Sequence, residues 1–368
     1  MISVTKKALN TALARLTRVI PTRSSNPTLT AVHVTVAETG LYLGGTNLEI
    51  DLRLHVPAEV SPDLHGQSFT VPAHLWQQGA AKLPAELVSL DYQSGTLHMR
   101  SGGSAQKIQT GESEVYPPLG FPEGEALSLP AADLVTALRS VAYAASNESF
   151  QAVFRGILLE LSPDHVRAVA SDGYRVAVCT RPGLPETREA RSYIIPRRNA
   201  EEIAALLDGE AQAELRTAHG ALGITTPAAS LNVKLLDGEF PDWQRVVPRA
   251  PTLTATLSAT ALAEALARVS IFADKNANNR VELRFGDGRV EVQAQGDYGD
   301  GQETLGAQLG GTESAMGLAL NAKHALDALK HVGPGDVVIA LSDSTTPVRF
   351  TPLSDSGQMA VAVALRGG

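Results

Sequence analysis

The chain has 368 residues, roughly two to three times the usual domain size, so more than one hydrophobic core is expected. Apolar residues make up 43% of the chain and charged residues 19%, which excludes a largely disordered protein, and the net charge of −8 argues against DNA binding by surface charge alone. No stretch is apolar enough for a signal peptide or a membrane span, and the one cysteine, Cys179, cannot form an internal disulfide. We therefore expect a multi-domain cytoplasmic protein without a membrane anchor.

Along the chain, predicted helices alternate with groups of predicted strands. Periodic apolar residues indicate helices in ALNTALARLTRV (8–19), TVPAHLWQQGAAKLP (70–84), DLVTALRSVAYA (133–144), IIPRRNAEEIAALLD (194–208), ALAEALARVSIF (261–272) and ALNAKHALDALKHV (319–332). Apolar and polar residues alternate in LTAVHVTVAETGLYLGGTNLEIDLRLHV (29–56) and ELVSLDYQSGTLHMRSG (86–102), which predicts antiparallel strands joined by turns. The pattern indicates an α+β fold.

Four sequence features recur in the same order, with spacings of 124 to 128 residues. The aligned residues are Leu13, Leu138 and Leu266 in the first helices, Pro72, Pro196 and Asn321 before the second helices, Asn47, Asp172 and Gly296 in strand turns, and Tyr116 and Phe240 in VYPPL and EFPDW. Repeats of this kind predict copies of one structural unit. We expect three domains, each with two helices and antiparallel sheets, at residues 1–123, 127–249 and 252–368.

The charge is unevenly distributed between the predicted helices and the rest of the chain. A net charge of +5 is carried by the stretches that contain the six predicted helices and their ends, counted as residues 6–18, 72–84, 130–147, 196–208, 258–275 and 321–332, which leaves −13 on the remainder. If the helices share one surface, that surface is positive on an otherwise acidic molecule. So weak a positive face cannot hold DNA tightly by attraction at physiological salt, so retention on DNA would require topology.

Sequence signatures of catalysis and of metal binding are missing from the chain. There is no H-E-x-x-H, no cysteine pair, no P-loop and no G-x-S-x-G elbow, and the glycine-rich LGGTN (43–47) and SGGSA (101–105) are explained as turns. We expect no catalytic residue, no metal site and no cofactor.

Four segments distributed over the whole chain resemble the beta subunit of bacterial DNA polymerase III, the sliding clamp family. They are GGTNLEIDL (44–52), VASDGYRVAV (169–178), KLLDGEFPDWQRVVP (234–248) and the terminal AVALR (362–366). The resemblance implies a head-to-tail homodimer that closes a six-domain ring around duplex DNA, with helices lining the hole. It also implies a processivity factor that is not an enzyme, with the replicative polymerase, the clamp loader and repair proteins as partners.

The resemblance further implies three groups of functional residues. Gln106 and Ile108 on one side and Ile271 and Phe272 on the other would form the dimer interface, although Ala105 and Gln106 replace the basic and large apolar residues common in the family. Arginines and one lysine would face DNA: Arg23, Arg139, Arg197, Arg198, Arg268 and Lys275. A cleft for partner peptides would be formed by Phe154, Ser171, Gly173, Tyr174, Arg175, Val176, Pro241, Arg245, Val246, His324, Pro347, Val361, Val363, Ala364, Leu365 and Arg366.

Three cleft positions depart from the common family pattern. Tyr174 stands where histidine is frequent, and Val363 and Ala364 stand where Met-Pro is frequent. Loss of a flexible methionine reduces the adaptability of a binding surface, so peptide preferences are expected to differ.

Two other classes of function remain open on the residues alone. One is an acidic repeat scaffold that binds only proteins, which predicts no role for Arg197 and Arg198 in DNA synthesis. The other is a hydrolase with a site assembled across repeats from Asp172 and histidines, which predicts turnover or metal dependence.

Overall fold

The structure, a computed structural model, describes residues 1–184, 189–218, 220–354 and 356–366. Within them lie six α-helices, one at each predicted position: α1 (Lys6–Val19), α2 (Ala73–Ala81), α3 (Ala131–Val141), α4 (Arg197–Leu206), α5 (Ala259–Val269) and α6 (Ala322–Val332). The predicted helix order is therefore confirmed. The end of the fifth predicted segment is a short 3-10 helix, Ser270–Phe272.

The strands are antiparallel throughout the paired segments of the described chain. The first eleven are β1 (Ile2–Thr5), β2 (Ala31–Ala37), β3 (Gly40–Thr46), β4 (Ile50–Pro57), β5 (Glu59–Val60), β6 (Ser68–Pro72), β7 (Leu87–Gln93), β8 (Thr96–Ser101), β9 (Ser104–Gln109), β10 (Gly111–Glu112) and β11 (Leu127–Pro130). The next seven are β12 (Gly156–Leu161), β13 (His165–Ser171), β14 (Arg175–Pro182), β15 (Arg191–Pro196), β16 (Gln212–Ala218), β17 (Ala221–Thr226) and β18 (Ala229–Lys234). The last nine are β19 (Leu253–Ser258), β20 (Arg280–Gly286), β21 (Arg289–Gly296), β22 (Gly299–Gly306), β23 (Gln308–Gly311), β24 (Met316–Asn321), β25 (Asp336–Leu341), β26 (Val348–Pro352) and β27 (Gln358–Ala362).

The chain divides into two compact units. Unit 1 consists of Met1–Ala131 and Leu206–Leu235, and unit 2 of Ala132–Ala205 and Leu236–Gly368. This division differs from three equal domains because the strands of the middle repeat are shared. Strand β18 continues the sheet of β4 in unit 1, whereas β14 pairs with β27 in unit 2. The predicted boundaries of three domains stay a prediction.

Unit 1 contains two sheets and helices α1 and α2. The sheets have the strand orders β5-β1-β7-β8-β9 and β10-β6-β2-β3-β4-β18-β17-β16-β11. Helix α1 is preceded by Thr5, whose hydroxyl accepts a hydrogen bond from the Ala8 amide and so caps the first turn. Its apolar residues recur at helical spacing, and Leu9, Leu13 and Leu16 are fully buried beneath it.

Unit 2 contains the remaining four helices and two further sheets. The strand orders are β15-β12-β13-β14-β27-β26-β25-β19-β23 and β22-β21-β20-β24. Ser258 caps α5, and the Asn321 side chain caps α6 by accepting hydrogen bonds from the amides of residues 323 and 324. Leu266 of α5 and Leu329 of α6 belong to one large apolar core. The predicted α+β architecture is confirmed.

Two structural features are absent from the described residues. No helix there is both long and apolar enough to cross a lipid bilayer. No group of three or more histidine, cysteine, aspartate or glutamate side chains in the same residues could hold a metal ion.

Candidate functional site

An apolar pocket of about 170 Å³ opens on the surface of unit 2. Four chain segments form it: the 3-10 helix Ala152–Arg155, the turn between β13 and β14, the segment that follows Gly238, and the end of β27. Its wall consists of Phe154, Ser171, Gly173, Tyr174, Arg175, Val176, Phe240, Pro241, Asp242, Trp243, Val246, Val361 and Val363. A concave, mostly apolar surface with a few polar groups is typical of a binding site.

The turn between β13 and β14 is fixed by its own side chains. The carboxylate of Asp172 accepts hydrogen bonds from the amides of Tyr174 and Arg175, at 3.0 and 3.1 Å. Gly173 has a φ of 90°, a conformation that favours glycine. The Ser171 hydroxyl donates to the Arg175 carbonyl at 2.8 Å. The turn therefore leaves the Tyr174 side chain exposed at the rim of the pocket.

The guanidinium of Arg175 is bound on several sides. It donates to Asp172 at 2.9 Å, to Asp327 of α6 at 2.6 Å and to the carbonyl of Tyr143 at 3.0 Å. It also lies over the Tyr143 ring, 5.3 Å from the centroid. Burial raises the pKa of Tyr143 well above its usual range, so this phenol stays neutral. Arg175 therefore joins the pocket turn to α6.

Aromatic side chains form one wall of the pocket. The rings of Phe154 and Phe240 meet edge to face at 6.3 Å. Asp242 caps the 3-10 helix Trp243–Val246, and Arg167 lies 5.6 Å from the centre of the Trp243 ring. Such rings offer large apolar contact area with little rotational freedom to lose.

The opposite wall is the last strand of the chain. Val361 pairs with Val176 across the β14–β27 ladder, and the Val363 amide donates to the Tyr174 carbonyl at 3.0 Å. The Val363 side chain is 37% exposed, which leaves it available for contact with a ligand. Further on, the Leu365 amide donates to Ala319 of β24 at 2.8 Å.

Ten of the sixteen predicted cleft residues line the pocket: Phe154, Ser171, Gly173, Tyr174, Arg175, Val176, Pro241, Val246, Val361 and Val363. The other six lie outside its wall: Arg245, His324, Pro347, Ala364, Leu365 and Arg366. Three wall residues were missed: Phe240, Asp242 and Trp243. All three belong to the motif EFPDW, so the signal that would have found them was present in the sequence.

Two of the six outlying residues, Arg245 and His324, contact side chains of the pocket wall. Arg245 turns back to bind Asp242 at 2.9 Å. The His324 ring lies 6.5 Å from the ring of Tyr174, and burial lowers its pKa below the usual value of 6.5. His324 is therefore a neighbour of the rim.

The residues predicted to face DNA have different surroundings. Arg23 and Lys275 are exposed in loops. Arg197, at the start of α4, binds Glu201 at 3.0 Å and Asn147 at 3.2 Å. The other predicted residues are the exposed Arg198 of α4, Arg139, which donates to the carbonyl of Ala204 at 3.2 Å, and Arg268 of α5.

Arg268 is neutralised within the chain. Its guanidinium binds the carboxylate of Glu303 through two hydrogen bonds of 2.7 and 2.9 Å. This pairing raises the pKa of Arg268 and lowers the pKa of Glu303. The charge of Arg268 is therefore balanced by a carboxylate of its own chain.

The predicted interface residues also differ in exposure. Ile271 is 78% exposed and Phe272 43%, so both have apolar surface to bury. Ile108 is only 4% exposed within the single chain, because it faces the core beneath β9. Gln106 donates from its side-chain amide to the carbonyl of Gly79 at 3.4 Å.

Comparison with known proteins places the chain in a family. Models of the DNA polymerase III beta subunit match it in three parts: the N-terminal domain at residues 1–120, the central domain at 128–242 and the C-terminal domain at 244–366. The beta sliding clamp of Proteus mirabilis is 27% identical over 94% of each chain, and that of Pseudomonas putida is 26% identical over 99% of each.

Solved structures agree with the family models. The DNA polymerase III subunit beta of Pseudomonas aeruginosa superposes with a TM-score of 0.91 at 24% identity, covering 100% of both chains. The beta subunit of Thermotoga maritima superposes with a TM-score of 0.90 at 25% identity, covering 100% of this chain and 99% of that one. The fold is thus that of a three-domain polymerase accessory subunit. The chain belongs to the bacterial DNA polymerase III beta subunit family and functions as a DNA sliding clamp in replication.

Proposed function

We propose that two copies of the chain form a closed ring that encircles duplex DNA and tethers the replicative polymerase through the pocket of unit 2. The observation that carries this proposal is the apolar pocket formed by the Asp172–Gly173 turn, the EFPDW segment and the last strand. The ring would be assembled from three clamp domains per subunit, at residues 1–123, 127–249 and 252–368. The family models, which change at residues 120/128 and 242/244, support these boundaries.

Two sheet edges support a head-to-tail dimer. Strand β9 is the last strand of the five-stranded sheet and β22 is the first strand of the four-stranded sheet. Among the residues that the structure describes, no strand of the same sheet pairs with the outer side of either edge. Such edges favour pairing with another chain. Pairing of β9 in one subunit with β22 in the next would be a heterologous contact, which closes a ring when the rotation permits.

The side chains around these edges are complementary. Lys107 on β9 and Arg100 on β8 are basic, whereas Asp300 on β22 is acidic. Electrostatic complementarity of this kind steers association and fixes register. The interface would also bury the exposed apolar surface of Ile271 and Phe272 described above.

DNA would be held by topology, and its phosphates would be contacted without base readout. Arg23, Arg139, Arg197, Arg198, Arg268 and Lys275 are the proposed phosphate contacts. Phosphate contacts position a duplex but carry no sequence preference. Because Arg197 and Arg268 already bind carboxylates, their contribution to affinity would be small, which suits a protein that must slide.

The pocket of unit 2 would receive short peptide segments of partner proteins. These partners are the replicative polymerase, the ATP-driven clamp loader and repair proteins that carry clamp-binding peptides. Beyond the pocket wall, Arg245, His324, Pro347, Ala364, Leu365 and Arg366 would contribute to the surrounding rim. We further propose that the protein catalyses no reaction itself, needs no cofactor and acts on the chromosome in the cytoplasm.

The two alternative functions find less support. The carboxylate of Asp172, on which a hydrolase site would depend, is occupied by two backbone amides and by Arg175. A scaffold that binds only proteins is not favoured because the chain belongs to the sliding clamp family.

Topological binding can be tested on a nicked circular plasmid. The protein is loaded with a clamp loader of this family and ATP, and the plasmid is separated from free protein by gel filtration. We expect the protein to remain on the circle and to leave once a restriction enzyme linearises the DNA. Equal retention on linear DNA would show that it binds by affinity, and the ring proposal would be wrong.

A further inference from the structure

Unit 1 contains a structural counterpart of the pocket in unit 2. The strand order β6-β2-β3-β4-β18 in unit 1 matches β15-β12-β13-β14-β27 in unit 2. The strand registers agree as well. In each unit three paired residues on neighbouring strands form the base of the groove, here called the floor, and these positions correspond one to one. In the same order they are Thr46, Asp51 and Asn232 in unit 1, and Ser171, Val176 and Val361 in unit 2.

The two floors differ in chemistry. Where unit 2 has two valines, unit 1 has Asp51 and Asn232. The carboxylate of Asp51 accepts hydrogen bonds from the Thr46 hydroxyl at 2.6 Å, the Asn232 side-chain amide at 3.2 Å and the backbone amide of Gly120 at 3.1 Å. Hydrogen bonds to a charged acceptor are stronger than neutral ones. Asp51 therefore binds a backbone group of the segment above it.

That segment, residues 119–122, we call the plug segment. Leu119 lies against Gly44 of β3, and a Cβ added at Gly44 would meet its Cδ1 atom at 2.5 Å. Pro122 lies against Gly223 of β17, where an added Cβ would meet its Cδ atom at 2.7 Å. At each glycine, the absence of a side chain leaves the space that a residue of the plug segment occupies.

Further contacts hold Phe121 within the plug segment and Tyr116 just before it. The Arg53 guanidinium lies 4.6 Å from the centre of the Phe121 ring, a cation–π contact. Upstream, Tyr116 is buried and its hydroxyl donates to the Ala31 carbonyl at 3.3 Å. Tyr116 is the repeat counterpart of Phe240 in the wall of the unit 2 pocket. The plug segment therefore leaves the same anchor point as residues 241–246, but it crosses the strands and covers the groove.

We propose that the groove over β4 and β18 is a second peptide-binding groove. The chain's own plug segment occupies it as a permanently attached ligand, and Asp51 holds this segment through the hydrogen bond from the Gly120 amide. The ligand class of the groove is a short apolar peptide in extended form. The reference to peptide binding rests on the function proposed for the unit 2 pocket. One consequence is that each chain offers one open cleft although it contains two related grooves.

The tether explains how a short segment stays bound. A ligand joined to its site by a short linker experiences an effective concentration on the order of 1 mM. A plug segment with a dissociation constant of about 1 mM or lower as a free peptide would therefore be mostly seated. The proposal thus sets an upper limit on that constant.

The first test adds a methyl group at each of the two glycines and measures hydrogen exchange at the Gly120 amide. Gly44→Ala with Gly223→Ala adds methyl groups whose closest neighbours belong to the plug segment, and neither glycine has a positive φ. We expect hydrogen exchange at the Gly120 amide, followed by mass spectrometry, to become about tenfold faster or more, since a hydrogen bond to a charged group is lost. Gly103→Ala, at an open position, is the matched control.

Two readouts keep this test decisive. Exchange within β3 and β4 should stay slow in the double variant, which shows that the sheet is intact. Asp51→Asn, which keeps the shape and removes the charge, should accelerate exchange at Gly120 without adding bulk. Unchanged exchange at Gly120 in both variants would overturn the proposal.

The second test separates the ligand from the chain. Residues 119–122 are replaced by Gly-Ser-Gly-Ser, and the synthetic peptide LGFPEG, residues 119–124, is titrated in by calorimetry. We expect one peptide per chain with a dissociation constant of about 1 mM or below, and loss of this binding when Gly44→Ala and Gly223→Ala are added. No saturation by about 5 mM would overturn the proposal. Both tests measure properties of unit 1, whereas the plasmid test measures retention on circular DNA. Failure of the second-groove proposal can therefore be told apart from failure of the proposed function.

Discussion

Arg175 is expected to stabilise unit 2 more than any exposed ion pair does, and Arg175→Ala tests this. The substitution removes hydrogen bonds to Asp172, Asp327 and the Tyr143 carbonyl. The Arg175 side chain is only 12% exposed, and those of Asp172 and Asp327 are 16% and 31% exposed. Removal therefore leaves two partly buried carboxylates without their cation.

The magnitude follows from this burial. Breaking a buried ion pair by removal of one partner costs about 3–5 kcal/mol, and the partial exposure of Asp327 reduces this to about 2–4 kcal/mol. Arg245 provides a matched control, because it binds Asp242 three residues away at 2.9 Å, the same spacing and distance as Arg175 and Asp172. The control pair is 81% and 53% exposed, so Arg245→Ala should cost about 0–1 kcal/mol.

The assay is urea unfolding followed by the fluorescence of Trp243, which lies in unit 2. All variants carry Trp76→Phe, so that the other tryptophan of the chain does not contribute. Arg175→Lys should recover only part of the loss, because an ammonium cannot reproduce the planar fork of a guanidinium. If Arg175→Ala and Arg245→Ala differ by less than about 0.5 kcal/mol in the free energy of unfolding, the reasoning from burial is refuted.

Three further predictions concern the pocket, the dimer and pH. Val363→Glu places a charge in the apolar pocket wall and should reduce polymerase stimulation about tenfold or more while the dimer persists, as primer extension and sedimentation would show. Ile271→Ala with Phe272→Ala should raise the dimer dissociation constant more than about tenfold in sedimentation equilibrium, whereas the exposed Leu353→Ala should not. Burial lowers the pKa of His324 below 6.5, so the unfolded chain takes up a proton at a higher pH than the folded chain, and stability is lost as the pH falls below 6.5. His324→Gln should therefore make the thermal stability depend less on pH between about pH 5 and 7. An unchanged slope would contradict this assignment.

The helices could be predicted from the sequence because their signals are local. Leu9, Leu13 and Leu16 recur at helical spacing and are buried together, as expected for an amphipathic helix. The repeat was visible for the same reason, since each copy carries its own helix and turn signals. Asn321 was aligned with Pro72 by position, and the structure shows it capping α6.

The sheets that run through more than one repeat could not be predicted in the same way. Pairing of Ile50 with Val233 joins strands that are far apart in the chain, and no local pattern records it. The same pairing explains why the compact units differ from the predicted domains. A repeat shows where copies begin and end, but not which neighbour each strand joins.

Side-chain direction was the other property that the sequence did not reveal. The family resemblance implies that Arg245 lines the cleft, yet its guanidinium turns back to Asp242. Trp243 was passed over, although it lies between the two and forms part of the wall. Ile108 was assigned to the dimer interface, but most of its side chain is buried within its own subunit. Position along a strand predicts the neighbourhood of a residue better than its contacts.

The size of the pocket suits the exchange of partners that we propose for the ring. A cavity of about 170 Å³ has room for only a few apolar side chains, each worth about 1.5–3 kcal/mol when buried. After the cost of ordering a flexible peptide, this leaves roughly micromolar affinity. A partner bound so weakly leaves readily, but in the proposed ring the clamp remains on DNA because its own retention does not depend on that contact. Weak binding at the pocket and topological retention of the ring are therefore complementary. High affinity at the pocket would block the exchange of partners, and a subunit that did not encircle DNA would leave the DNA together with its partner.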